Sequence, residues 1–218
     1  MHRIIRMGVR PSILAVKQAE EIQNQILSVR FKTILIETQG DKDKKTPFSA
    51  IEGSDFFTRE IEEELLSGRI DAAVHSAKDL EEVMPAQLSI AAITASISPY
   101  ECLVSRGNRR LDTLSYRAKV GTSSSKRKQA LLKYRPDLQV CDIRGTIEER
   151  LRQLDQGKFD AIIMAHAALI RLRLEERIAE IISPEIIQPH PLQGALAVQV
   201  RADDSRLIRL FSKIGGKR

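Results

Sequence analysis

Short apolar runs alternate along the chain with stretches in which apolar positions recur at helical spacing. The runs Arg3 to Val9, Lys32 to Glu37, Ile70 to Val74, Leu88 to Ile93, Glu101 to Ser105, Lys119 to Thr122, Leu138 to Ile143, Lys158 to Ala165 and Ala195 to Arg201 predict strands. Between them, Pro11-Ser12 opens a helix with Ile13, Leu14, Val16, Ala19, Ile22, Ile26 and Leu27 at helical spacing. Phe56 and Phe57 introduce a second helix, Thr58 to Ser67, that Gly68 caps. Further helices run through Leu132, entered at the turn Ser123 to Lys128, onward from Thr146, from about Ala167 to Leu174 and from Ser205 to Ile214. Strand gives way to helix repeatedly, so the fold class is α/β.

Two breaks divide this pattern. Thr94 to Pro99 is small and polar with a proline, and Gln188-Pro-His-Pro-Leu-Gln-Gly194 is rich in turn residues. They predict two α/β domains, 1–95 plus 193–218 and 99–188, with hinge crossovers at about 94–99 and 188–193. The stretch Gly40-Asp-Lys-Asp-Lys-Lys-Thr-Pro47 has no apolar periodicity and is expected to be an exposed, mobile loop of the kind that serves as a lid.

Charge and composition narrow the partner. Lys+Arg 35 against Asp+Glu 29 gives a formal charge of +6, which favours an anion. Aromatics make up only 4% and there is no Trp, a poor supply of stacking platforms for single-stranded nucleic acid. Cys102 and Cys141 both lie in predicted strands, with neither metal-cluster nor disulfide spacing, and read as core residues. No apolar run approaches the ~20 residues of a membrane span, and Met1-His-Arg-Ile-Ile-Arg6 runs straight into a strand, so a cytoplasmic protein without membrane partners is expected.

The candidate chemistry sits where strands end. Ile70 to Val74 closes in His75, Ser76, Lys78 and Asp79. In open α/β sheets the ligand crevice lies outside the carboxyl ends of the strands, so this pairs an anion-binding cation with a carboxylate fit for acid, base or cation-stabilising work. A surface Lys-Asp pair is the plainer alternative. Arg10 and Ser12 stand at the next such junction, where helix N-H groups favour an anion, although Ser12 also reads as a simple N-cap. Thr122, Ser123, Ser124, Lys126 and Arg127 combine hydroxyls and cations in one strand-to-helix turn, either an anion site or a capped basic helix. Arg144-Gly145 ends another strand and Arg150 follows one turn later, while Thr146 and Glu149 fit a capping box. His166 reads as a helix-start or core histidine. Cations placed singly at strand ends, rather than along one helix face, argue for a small polyanion held in a cleft between the domains.

These residues carry a family resemblance. His75-Ser-Ala-Lys-Asp79, Gly121-Thr-Ser-Ser124 with Lys126-Arg127, Arg144-Gly145 with Arg150, Leu192-Gln-Gly-Ala195, and Arg10-Pro-Ser-Ile-Leu-Ala15 with Gln18 occur in the order and spacing of porphobilinogen deaminase, also called hydroxymethylbilane synthase. The resemblance spans essentially the whole chain. It implies two type II periplasmic-binding-protein-like domains and an enzyme of porphyrin and heme biosynthesis that condenses four porphobilinogen molecules, releasing ammonia each time. It further implies that Asp79 is catalytic, a buried anion beside a developing cation. Lys78, Ser76, Thr122, Ser123, Ser124, Lys126, Arg127, Arg144 and Gly145 would bind the dipyrromethane cofactor. Arg10, Ser12, Gln18, Phe57, Arg150 and Gln193 would bind substrate, with no metal, no nucleic acid and a monomeric protein expected.

The sequence departs from the family pattern in three places. Members continue into a third domain whose Gly-Gly-Cys loop carries the primer, whereas this chain ends at Ile214-Gly-Gly-Lys-Arg218, so the resemblance is to a short form without that domain or its cysteine. Ala50-Ile-Glu-Gly-Ser-Asp55 replaces the usual Lys-x-Gly-Gly-Lys-Gly, removing two cations, and Lys126 replaces an arginine. A non-catalytic binder of pyrrole polycarboxylates is the alternative reading.

Overall fold

The computed structural model describes residues 4–43, 55–80 and 84–215. Their order is β1 (Ile5–Val9), α1 (Ile13–Asn24), β2 (Phe31–Leu35), α2 (Gln39–Lys42), α3 (Arg59–Leu66), β3 (Ala72–Ser76), β4 (Leu88–Ile93), β5 (Glu101–Ser105), β6 (Lys119–Gly121), α4 (Ser125–Tyr134), β7 (Gln139–Cys141), α5 (Ile147–Asp155), β8 (Ala161–Ala165), α6 (His166–Leu172), β9 (Glu180–Ile182), β10 (Leu196–Arg201) and α7 (Ser205–Phe211). The described residues divide into two compact α/β units, and the chain passes from one to the other at Ile97–Ser98 and back at Gln193–Gly194.

The first unit holds a five-stranded sheet in the order β2-β1-β3-β10-β4. β1 lies parallel to both β2 and β3, and β10 runs antiparallel between β3 and β4. β1 and β3 are buried along almost their whole length because α1 and α3 pack on the sheet, as their near-continuous apolar runs require. Met7, Ile22, Val198 and Phe211 fill one core cluster, and Ile61, Leu65 and Ile70 another. Each side chain removed from water to this degree contributes ~1.5–3 kcal/mol. Thr94 ties β4 to β10: its hydroxyl accepts from the Leu196 N–H at 3.0 Å and its own N–H donates to the Leu196 carbonyl at 2.9 Å.

The second unit repeats the plan, its sheet ordered β7-β6-β8-β5-β9. β6 lies parallel to β7 and β8, while β5 runs antiparallel to β8 and β9. Leu103, Val120, Leu131 and Ile163 pack one face, and Cys102, Ile143, Leu154 and Ile162 the other.

The expected elements are present, with differences that have local causes. The stretch expected to be an open loop from Gly40 begins as the short helix α2, seeded at buried Thr38, whose N–H and hydroxyl both donate to Asp41 Oδ2. Positions 44–54, which hold the rest of the expected lid and most of the departure Ala50 to Asp55, lie outside the described residues. β9 was not expected, because Glu180-Ile-Ile182 is shorter than its flanking polar turns and acquires strand form by pairing with β5. Gly68 adopts φ 71°, the left-handed geometry that ends α3.

Candidate active site

Topology brings the candidate residues to one edge of each sheet. In the first unit the carboxyl ends of parallel β1, β2 and β3 and the amino end of antiparallel β10 coincide, so Arg10, Ser12, Gln18, Asp41, Ser76, Lys78 and Asp79 all issue from that edge. Ser12 is the N-cap of α1, its hydroxyl accepting from the Ala15 N–H at 3.1 Å. One turn later buried Gln18 donates from Nε2 to Ser76 Oγ at 2.9 Å, coupling two residues that the sequence assigned to different ligands.

Asp79 corrects an expectation. β3 ends at Ser76, and one 3-10 turn, Ala77–Asp79, carries the carboxylate out of the sheet layer, so Asp79 is exposed rather than buried. Ala77, the only buried residue of that turn, anchors it by donating to the Ala195 carbonyl at 3.0 Å. Lys78 is half-buried beside it.

Behind Asp79 lies a buried polar chain. His75 Nε2 stands 3.1 Å from Gln199 Oε1, and Gln199 donates from Nε2 to Glu62 at 2.7 Å. Burial pushes the His75 imidazole down from its ordinary 6.5 to about 4, against the opposing pull of the Gln199 hydrogen bond and the Asp79 charge. Above pH 6.5 neither folded nor unfolded chain holds a proton there. Between 6.5 and about 4 only the unfolded chain takes one up, so stability falls as pH falls, by on the order of 3 kcal/mol across that window. Urea unfolding at pH 7 and pH 4.5 is therefore expected to show a larger loss for the native sequence than for His75→Gln, which keeps a donor toward Gln199. Equal losses would refute the assignment.

Arg10 is held at several points. Its Nε reaches Asp41 Oδ1 and Oδ2 at 3.2 and 3.3 Å, its Nη2 reaches Oδ1 at 2.5 Å, and the guanidinium lies 4.4 Å over the Phe57 ring. Burial alone would raise the Asp41 carboxyl. Hydrogen bonds and charge from Arg10, with the Thr38 N–H and hydroxyl, outweigh it and hold the group below the ordinary carboxylate range.

The second unit gathers its residues in the same way. The carboxyl ends of β6, β7 and β8 coincide with the amino end of β5, so Thr122 to Arg127, Arg144 to Arg150, His166 and Glu101 share one edge. Ser124 is the N-cap of α4, and buried Ser123 donates its hydroxyl to the Ile143 carbonyl, tying the β6 and β7 ends together. Thr122 is buried and its hydroxyl accepts from the Ser124 N–H at 3.4 Å. Lys126 is exposed. Arg127 binds Glu101 side-on, Nε to Oε1 at 2.8 Å and Nη2 to Oε2 at 2.7 Å, with the two side chains only 12% and 5% exposed. Thr146 and Glu149 form the expected capping box of α5. Arg150 Nε donates to the Gly145 carbonyl at 2.9 Å, a contact that Gly145 permits by adopting φ 108°. Arg144, Gly145, Arg152 and Lys158 line an open cavity of about 410 Å³. Arg152 and Lys158 were not singled out by sequence.

Two residues serve the scaffold. Buried Gln193 donates from Nε2 to the Pro99 and Tyr100 carbonyls at 3.1 and 3.2 Å, which ties it to the backbone of the second unit. His166 begins α6, with Nδ1 2.9 Å from Ser98 Oγ. The residues that sequence reasoning missed are Asp41 and Glu101. A glutamate opening an otherwise apolar strand was the available signal for Glu101, since a carboxylate in a buried strand must find a cation.

Comparison with known proteins identifies the lineage. The family model for the dipyrromethane cofactor binding domain of porphobilinogen deaminase matches residues 5–209. The chain belongs to the porphobilinogen deaminase family. It is 40% identical over 208 residues to the porphobilinogen deaminase of Ehrlichia chaffeensis, covering 94% of this chain and 70% of that protein. It is 40% identical over 218 residues to that of Syntrophomonas wolfei, covering 97% and 71%. Among solved structures, a periplasmic substrate-binding protein of an ABC transporter from Coxiella burnetii superposes with TM-score 0.58 at 17% identity, covering 96% of this chain and 91% of that one. This likeness establishes the fold, two periplasmic-binding-protein-like α/β domains of type II. Membership places the chain in porphyrin biosynthesis and makes the matched region a dipyrromethane-binding domain. Among the described residues no helix is long and apolar enough to cross a membrane.

The donor set fits that cofactor. Dipyrromethane carries acetate and propionate groups, and the second unit offers guanidinium, ammonium and hydroxyl donors from Arg127, Arg144, Arg150, Lys126 and Ser124 at one sheet edge. Cys102 is not a ready attachment point. Cys102 is fully buried and burial pushes its thiol up to about 12, while Cys141 lies on β7 among core residues.

Proposed function

We propose that the protein is a hydroxymethylbilane synthase that deaminates porphobilinogen and joins four units into a linear tetrapyrrole. The observation that carries this reading is the gathering of Arg10, Ser12, Lys78 and Asp79 at the ligand-facing edge of one sheet, in a chain that belongs to the deaminase family. Arg10 and Ser12 receive the substrate's acetate and propionate groups, and Gln18 fixes Ser76 beside them. When the aminomethyl C–N bond breaks, nitrogen leaves as ammonia and positive charge spreads over the pyrrole. The Asp79 carboxylate stabilises that charge and orients the N–H groups. The methylene carbon so activated would bond to the free α-carbon of a bound pyrrole, whose ring proton would pass to water. Bound dipyrromethane supplies the pyrrole terminus from which the chain grows. Lys126, Arg127 and Arg144 of the second unit hold its carboxylates.

Incubation of the purified protein with porphobilinogen is expected to release ammonia and yield hydroxymethylbilane, with intact mass reporting any adduct. The position of Cys102 favours a primer held without a bond to that thiol. Tight porphobilinogen binding without ammonia release would replace the enzyme with a pyrrole-polycarboxylate binder.

A further inference from the structure

Arg10 is locked by a sequence of contacts that starts well away from it. Thr38 is wholly buried and grips Asp41 Oδ2 through both its N–H, at 3.1 Å, and its hydroxyl, at 2.8 Å. Asp41 in turn takes the Nε–Nη2 edge of Arg10. Phe57 supports the guanidinium face, and the ring is seated against Gly40, where a Cβ would fall 2.1 Å from it. Asp41 is therefore a built anchor and not an incidental surface partner, its side chain only 14% exposed. Arg127 repeats the arrangement in the other unit, its Nε–Nη2 edge taken by Glu101. In both arginines the Nη1–Nη2 edge is the one left to meet a second carboxylate.

A resident carboxylate has two consequences for an incoming anion. It fixes the donor geometry in advance, which spares the ligand the cost of ordering a long side chain. It also cancels most of the arginine's net charge, and because Coulomb repulsion scales with charge, it disfavours a dianion about twice as strongly as a monoanion. At about pH 8 and above inorganic phosphate is largely a dianion, so the competition is run there, whereas each carboxylate of a pyrrole presents a single charge.

We propose that Asp41 is a specificity-determining positioning residue, which turns Arg10 from a general anion attractor into a receptor for single carboxylates and against phosphate. The proposal rests on the reading of Arg10 as a substrate-carboxylate receptor. Calorimetry on the full chain tests it, with porphobilinogen as ligand and inorganic phosphate as competitor. Asp41→Asn is expected to weaken porphobilinogen binding several-fold while strengthening phosphate competition, so that the ratio of the two affinities falls at least tenfold. Thr38→Val, which keeps both charges and only loosens the anchor, is expected to weaken porphobilinogen binding without strengthening phosphate, and it serves if the first variant does not fold. An unchanged ratio in Asp41→Asn, or an unchanged porphobilinogen affinity in Thr38→Val, overturns the role of Asp41 while leaving Arg10 as receptor. If Arg10→Gln binds porphobilinogen as the native chain does, or the native chain does not bind it, the underlying reading falls and this one with it.

Discussion

Asp79→Asn is expected to lower the rate of ammonia release at saturating porphobilinogen by about 10²–10³-fold, the effect of removing one preorganised electrostatic group from a transition state. Affinity for porphobilinogen should change far less, because the carboxylate is directed at charge that appears only as the C–N bond breaks. The fold should be unaffected. Asp79 is exposed at the end of a turn anchored by Ala77, so its substitution belongs with surface changes worth within about 0.5 kcal/mol in urea unfolding. Full turnover by the variant would remove Asp79 from the mechanism, and loss of stability alongside activity would leave the carboxylate's chemistry unsupported.

The second large effect is expected at Glu101. Its carboxylate and the Arg127 guanidinium form a two-point pair with both side chains nearly excluded from water, joining the start of β5 to the first turn of α4. Removing one partner strands the other charge in a poor solvent, so Glu101→Gln is expected to cost about 3–5 kcal/mol of stability. Replacing both, as Glu101→Leu with Arg127→Met, should recover most of that loss, since well-packed apolar residues of similar volume do about as well as a buried ion pair. Urea midpoints of the two variants decide the matter. A single variant within 1 kcal/mol of the native chain would show that water reaches the pair. The double variant has a second use: dipyrromethane binding that survives it would assign Arg127 to scaffold alone.

Much of the architecture was legible because it depends on local rules. Periodicity located β4 and β5 to the residue and the other expected strands with shifted ends, the Thr146–Glu149 box marked α5, and Gly68 marked the end of α3. The polar residues after β1, β3, β6 and β7 stood out as candidate chemistry because in an open α/β sheet the ligand crevice lies outside the carboxyl ends of the strands. What could not be read was commitment. That Gln193 meets the Pro99 and Tyr100 carbonyls depends on backbone far away in sequence. β9 is only three residues long, too short for alternation to mark it, and is held by its pairing with β5.

The amino-acid order by itself determined the alternation of strand and helix, the division into two α/β domains and the family, since apolar spacing, caps and contiguous motifs are properties of neighbouring residues. Only the tertiary structure decided which charges are spoken for. Arg10 meets Asp41 across 31 positions, Arg127 meets Glu101 across 26, and Asp79 stands exposed where burial was expected. Charges reach across space rather than along the chain, so the partner of an arginine is set by which strand ends the sheet brings together.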